Sequence, residues 1–159
     1  MATIFRRSTL FLLSALGVGC GDAGTMGAFD GASTVLDDAT SENGRHAEAC
    51  SHAGSLAAML ADVARHESAM NDLMGRMAAA NDEMRTDRME SHPCAQQGMA
   101  HMSQEVTDTS AEVAVHTKQM RGADTVGAGH YECADHAHEL GKMLARMRDD
   151  LGSMACTPQ

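Results

Sequence analysis

LAAMLADVARHESAMNDLMGRMAAANDEM, residues 56–84, places Leu56, Val63, Met70, Met77 and Met84 at intervals of seven, with Met59, His66, Leu73 and Ala80 at the second position of the same stripe. Alternating steps of three and four keep all nine on one face of an α-helix, and Leu60 and Met74 widen that face into a core-facing stripe. Two later segments repeat the pattern: Met99, Met102, Val106, Thr109, Val113, His116, Met120, and then Cys133, His136, Leu140, Met143, Leu144, Met147, Leu151, Met154. No two-residue alternation competes with these periods, so the chain reads as all-α, an antiparallel bundle of three to four helices.

The breaks are also legible. Proline cannot continue a helix interior but suits a first turn, so His92-Pro93-Cys94 separates the first two segments. The glycine-rich run from Arg121 to Gly129 makes the next turn. A single helix over residues 45–91 would be ~70 Å long, far longer than its partners. A break is therefore expected between Gly54 and Gly75.

Ahead of these segments lies MATIFRRSTLFLLSALGVGCGDAG, with Arg6 and Arg7, an apolar run from Leu10 to Val18, and small residues ending at Cys20. Such a run is too short to span a bilayer and has the build of an export signal. It resembles the signal of bacterial lipoproteins, in which the cysteine is acylated and becomes the mature N-terminus. That resemblance implies a signal over residues 1–19, a palmitate-type lipid anchor on Cys20, and, from Gly21, an outer-membrane location facing the periplasm or the cell surface. Residues 21–41 are small, polar and aperiodic, so 20–41 reads as lipidated cysteine plus flexible tether and 42–159 as the bundle domain.

Without Arg6 and Arg7, ten basic residues face 22 acidic ones, a net charge of −12. Nucleic acid and anionic surfaces are poor partners for such a chain, and cations are better ones. The membrane would be met only through the lipid.

With Cys20 acylated, Cys50, Cys94, Cys133 and Cys156 form an even set, suited to two disulfides in an oxidising compartment. Cys133 and Cys156 lie ~35 Å apart on one helix and cannot bond. Cys94 and Cys156 are equidistant from the glycine-rich turn, so a hairpin brings them together, leaving Cys50 for Cys133. Between Glu42 and Cys156 there are twelve Met against eleven Leu or Val, with Tyr131 the only aromatic residue. Methionine fills gaps without specifying packing, so cross-links would help to define one structure.

Four of the nine histidines, His52, His66, His116 and His136, fall on inward positions, and each has a carboxylate four residues earlier: Glu48, Asp62, Glu112 and Glu132. Glu42 and His46 repeat this spacing on what reads as a more exposed side. Counted along antiparallel helices, His66, His116 and His136 fall at ~37, ~33 and ~30 Å from the Cys94–Cys156 end, and His52 joins them if Cys50 is bonded to Cys133. Met70 and Met120 lie near the same height.

Convergent imidazoles are common transition-metal ligands, with carboxylates either ligating or holding the second ring nitrogen. Imidazole with carboxylate suits zinc, and added thioethers from Met70 and Met120 favour copper. His92, His101, His130 and His138 read as surface residues. No nucleophile motif accompanies the histidines, and HExxH, CxxCH and paired-thiolate signatures are missing. With a single aromatic residue, non-covalent haem is disfavoured. The expectation is a non-enzymatic, lipid-anchored envelope protein that binds copper or zinc. The alternative is a metal-free lipoprotein whose acidic faces meet a protein partner.

Overall fold

The computed structural model describes residues 23–86 and 93–154. Four helices of nearly equal length make up this part: α1 (Ala23–His52), α2 (Leu56–Thr86), α3 (Pro93–Gly122) and α4 (Val126–Met154). Each packs along the next, and α1 closes the ring against α4. The result is the expected antiparallel bundle, with four helices. Among the described residues, no helix is long and apolar enough to cross a membrane.

The two described connections are copies of one another. Residues 53–55 join α1 to α2, and residues 123–125 join α3 to α4. In the first, the Ala58 N–H donates to Ser55 Oγ at 3.2 Å, and in the second the Ala128 N–H donates to Thr125 Oγ1 at 3.1 Å. These hydroxyls cap otherwise unpaired amides at the start of α2 and α4. The break expected between Gly54 and Gly75 thus falls at its early edge.

The repetition extends through the whole described chain with a period of 70 residues. Glu42 matches Glu112, His46 matches His116, Asp62 matches Glu132, His66 matches His136, and Met77 and Met84 match Met147 and Met154. The bundle is therefore two similar hairpins, α1–α2 and α3–α4, facing each other.

α1 corrects the expected tether. From Ala23 onward the chain is helical, and Ala28, Ala32, Val35, Leu36 and Ala39 are all buried. Their spacing of three and four is a helical stripe built largely of alanine. Small side chains look like linker composition, yet here they let α1 approach its neighbours closely. The signal, Cys20 and Cys156 lie outside the described residues, as does the side chain of Cys94, and so does the expected Cys94–Cys156 bond. The Cys50–Cys133 disulfide is present and joins α1 to α4, with Cα atoms 6.2 Å apart.

The core is divided. A large cluster runs from Ala28 to Ala39 on α1, Met70 to Met84 on α2, Ala95 to Val113 on α3 and Leu140 to Met154 on α4. A smaller one holds Cys50, Met59, Val63, Met120 and Cys133. Between them, each helix contributes one buried histidine: His46, His66, His116 and His136.

Two glycines test the packing in opposite directions. A Cβ on Gly98 would collide with Met154 Cγ and stand 3.2 Å from the Asp150 carbonyl oxygen, whereas one on Gly75 would meet nothing within 4 Å. Gly98→Ala should therefore cost about 1–3 kcal/mol through overpacking. Gly75→Ala should gain about 0.5–1 kcal/mol from helix propensity. Urea melts of the two variants check the pair, and equal signs would contradict the placement of α3 against α4.

Candidate metal centre

The four buried histidines form one layer across the bundle. His46 and His66, from the first hairpin, stack with ring centroids 4.0 Å apart and planes 11° apart. His116 and His136, from the second, stack at 4.0 Å and 5°. The stacks stand nearly perpendicular, with crossing angles of 77° to 82°. Across the bundle, His46 Nε2 meets His116 Nε2 at 3.2 Å and His66 Nε2 meets His136 Nε2 at 3.3 Å.

Carboxylates hold the outward nitrogens. His46 Nδ1–H donates to Asp62 Oδ2 at 2.6 Å, His66 Nδ1–H to Glu42 Oε1 at 3.0 Å, and His136 Nδ1–H to Glu112 Oε1 at 3.2 Å. An ionised carboxylate can only accept, so these bonds place the proton on Nδ1 and leave Nε2 as a bare lone pair. For His66 and His136 the consequence is direct: two acceptors face each other in a dry core. His116 Nδ1 is buried without a hydrogen-bond partner.

Each acid serves the histidine of the neighbouring helix and not the one four residues on in its own. α1 and α2 run antiparallel, so Glu42 and Asp62 lie one turn to either side of the layer. Each meets the ring that crosses from the opposite helix. The expectation that each imidazole pairs with its own helix's acid is corrected accordingly. Glu112 on α3 reaches His136 on α4 by the same rule. Glu132, half-buried on α4, is the Asp62 equivalent and so the acid in register with His116.

The surroundings of the two hairpins differ. Arg65 binds both acids of the first, donating to Glu42 Oε1 at 2.7 Å and from Nε to Asp62 Oδ1 at 2.9 Å. Arg45 also pairs with Glu42. In the second hairpin the residue matching Arg65 is Asp135. Partial burial, followed by Glu139 and Asp135, holds the Glu112 carboxyl above the usual carboxylate value. The second hairpin thus has an acid where the first has the arginine that bridges its two carboxylates.

Burial also keeps the rings neutral. It lowers His46 against the opposing pull of Asp62, and drives His66 down to about 2, with the other three histidines and Arg65 adding to the effect. His116 is lowered to about 3 and His136 to about 4, in both cases chiefly by burial. Neutral imidazole is the form that ligates metal.

Of the residues singled out in the sequence, His66, His116 and His136 are in the layer. His52 is not: it is exposed, and its Nδ1–H donates to the Glu48 carbonyl at 2.9 Å. His46, read as the more exposed of the two, is 0 % exposed and takes the place assigned to His52. The inward stripe of α1 runs Leu36, Ala39, Asn43, His46, Cys50, and its continuation through Ala32 and Ala28 carries too little hydrophobicity to mark the register in the sequence. Met70 packs in the large cluster, and Met120 lies in the small one with its sulfur 3.9 Å from Cys133 Sγ. His101 and His138 are exposed, whereas His130 is half-buried and its Nε2–H donates to the Ala53 carbonyl at 3.1 Å.

His46, His116 and His136 can each present a ring nitrogen within 4.8 Å of the other two. His66 stands outside that group of three and approaches it through His136, at 3.3 Å. Tetrahedral zinc, with Zn–N of ~2.0–2.1 Å, needs nitrogens ~3.3–3.4 Å apart, close to both cross-bundle distances. Comparison of this chain with known protein families, curated proteins and solved structures returned no match.

The lowered values of the four histidines have a direct consequence for the metal-free protein. Below the unfolded value of 6.5, the unfolded chain takes up protons that the folded layer refuses. Stability is therefore fully present above pH 6.5 and lost as the pH falls from there, by about 2 kcal/mol at pH 5 for each of His66, His116 and His136. Urea melts between pH 7.5 and 5 measure this loss, and a flat profile would contradict a neutral buried layer.

Proposed function

We propose that this protein binds one transition-metal ion at the centre of its bundle, with Nε2 of His46, His66, His116 and His136 as the four ligands. The observation that carries the reading is the close approach of buried ring nitrogens across the bundle, Nε2 to Nε2 at 3.2 and 3.3 Å, with His66 and His136 facing each other as two acceptors. A cation is what such facing lone pairs lack. The spacing suits tetrahedral zinc, or Cu(I), better than square-planar Cu(II), whose adjacent nitrogens would stand only ~2.8 Å apart.

Asp62, Glu42 and Glu112 orient His46, His66 and His136 and add negative charge close to the ion. Glu132 makes no such bond, and the His116 Nδ1 is left without a protein partner. Such outer partners commonly contribute 10–100-fold in affinity. Met70 and Met120 are not ligands in this reading.

Four protein nitrogens fill a tetrahedral shell and leave no position for water or substrate. The proposal is accordingly sequestration or sensing and not catalysis. The lipoprotein-like N-terminus and the Cys50–Cys133 disulfide support a location in the cell envelope, with Cys20 carrying the lipid.

Metal analysis of the full chain, purified with its disulfides intact and then titrated with zinc or Cu(I), should give one equivalent. His46→Ala should abolish stoichiometric uptake, and His52→Ala should leave it unchanged. Uptake that survives His46→Ala, or that is lost with His52→Ala, would overturn the assignment. Glu112→Gln should weaken binding about tenfold or more while one equivalent is still taken up at saturation. Isothermal titration separates the two quantities. A chain that refuses both metals at micromolar concentration would leave the acidic faces and a protein partner as the remaining reading.

A further inference from the structure

The Cys50–Cys133 disulfide lies directly beside the histidine layer, and its surroundings hold a second set of potential ligands. Cys50 Sγ is 3.8 Å from His46 Nε2 and 3.9 Å from His46 Nδ1. One atom each from His46, Cys50 and Cys133 lies within 4.8 Å of the other two, and all three residues are buried. On the far side, Met120 Sδ is 3.9 Å from Cys133 Sγ. Two cysteine sulfurs, a thioether and an imidazole therefore occupy one small region of the core.

The disulfide is also within reach of a small reductant. A groove of about 480 Å³ between α1 and α4 is lined by Cys50 and Cys133 themselves, together with Ala47, Ala134 and Ala137. Alanines flank the cross-link where larger residues would cover it. With Ser51 and His130 completing the lining, the groove brings solvent up to the bond even though both cysteines are 1 % exposed.

We infer that reduction of Cys50–Cys133 opens a second, sulfur-rich site for Cu(I), made by the two cysteine sulfurs with Met120 and His46 at its edges. The reductant would be a dithiol. One of its thiolates attacks a disulfide sulfur and breaks the S–S bond, and its second thiol then displaces the protein sulfur from the mixed disulfide. The dithiol leaves as its own disulfide, and two electrons and two protons pass to Cys50 and Cys133. Cu(I) then binds both sulfurs as thiolates, their protons going to solvent. Soft thiolate and thioether donors select Cu(I), whereas the four-nitrogen layer serves zinc as well. His46 borders both sets, so reduction of the cross-link adds a Cu(I) site directly beside the nitrogen layer. This second site involves the nitrogen layer only through His46.

The test compares the full chain with Cys50→Ser/Cys133→Ser, each oxidised and each reduced anaerobically by dithiothreitol. After removal of the reductant, each is titrated with Cu(I) against a chromophoric chelator. The other cysteines are common to both proteins and cancel in the comparison. The reduced wild type should bind one Cu(I) more than the reduced double variant, with copper–sulfur scattering in its X-ray absorption spectrum, while the two oxidised proteins bind equally. Met120→Leu, which keeps both thiols, should weaken the extra site about tenfold.

Equal copper in the two reduced proteins would overturn the inference. Loss of helicity on reduction would do so too, because the site needs the folded bundle to hold Cys50 beside Cys133. His66→Ala/His116→Ala separates this inference from the four-nitrogen reading. The extra sulfur-bound Cu(I) should persist there, whereas failure of the nitrogen site alone would appear as no copper uptake by the oxidised wild type.

Discussion

Four buried imidazoles meet in one layer at the centre of this bundle, and much of the surrounding structure can be understood as the means of holding them there. Apolar clusters above and below exclude water and keep the rings neutral. Carboxylates on neighbouring helices fix the Nδ1 proton of three rings, and Arg65 ties the first hairpin's two acids into one unit. A buried polar layer in an otherwise apolar core is costly unless each group is satisfied. Here the outward nitrogens are largely satisfied by protein and the inward ones face only each other.

The 70-residue repeat explains how such a layer can be made from few instructions. One hairpin carries a histidine in each helix and an acid one turn before it. Antiparallel packing sends each acid to the other helix's ring, and a second copy across the bundle brings two more nitrogens to the same level. The copies have diverged where charge is concerned. Arg65 neutralises the first pair of acids, whereas Asp135 stands at its place in the second and adds to the negative charge around Glu112. An incoming cation would find its electrostatic balance on that second side.

Much of this was legible in the sequence. The heptad stripe from Leu56 to Met84 identified a bundle, the heights of His66, His116 and His136 placed three buried histidines in one layer, and the elimination among cysteines gave Cys50–Cys133. α1 was not legible as a partner, because its stripe is made of Ala28, Ala32, Val35, Leu36 and Ala39, and alanine contributes little to a hydrophobic period. Losing that register put His52 inward in place of His46, two positions apart and hence on different faces. The pairing of acids across helices was hidden for a different reason. An i, i+4 spacing reports which residues share a face, but only the antiparallel neighbour determines which ring the acid meets.

The central claim is that four Nε2 atoms converge on one ion, and X-ray absorption at the metal edge of the zinc-loaded protein, disulfides intact, tests it most directly. The account predicts a single shell of four nitrogens at ~2.0–2.1 Å with the outer scattering of imidazole rings and no sulfur. A shell containing sulfur or carboxylate oxygen in place of any of the four rings would contradict it.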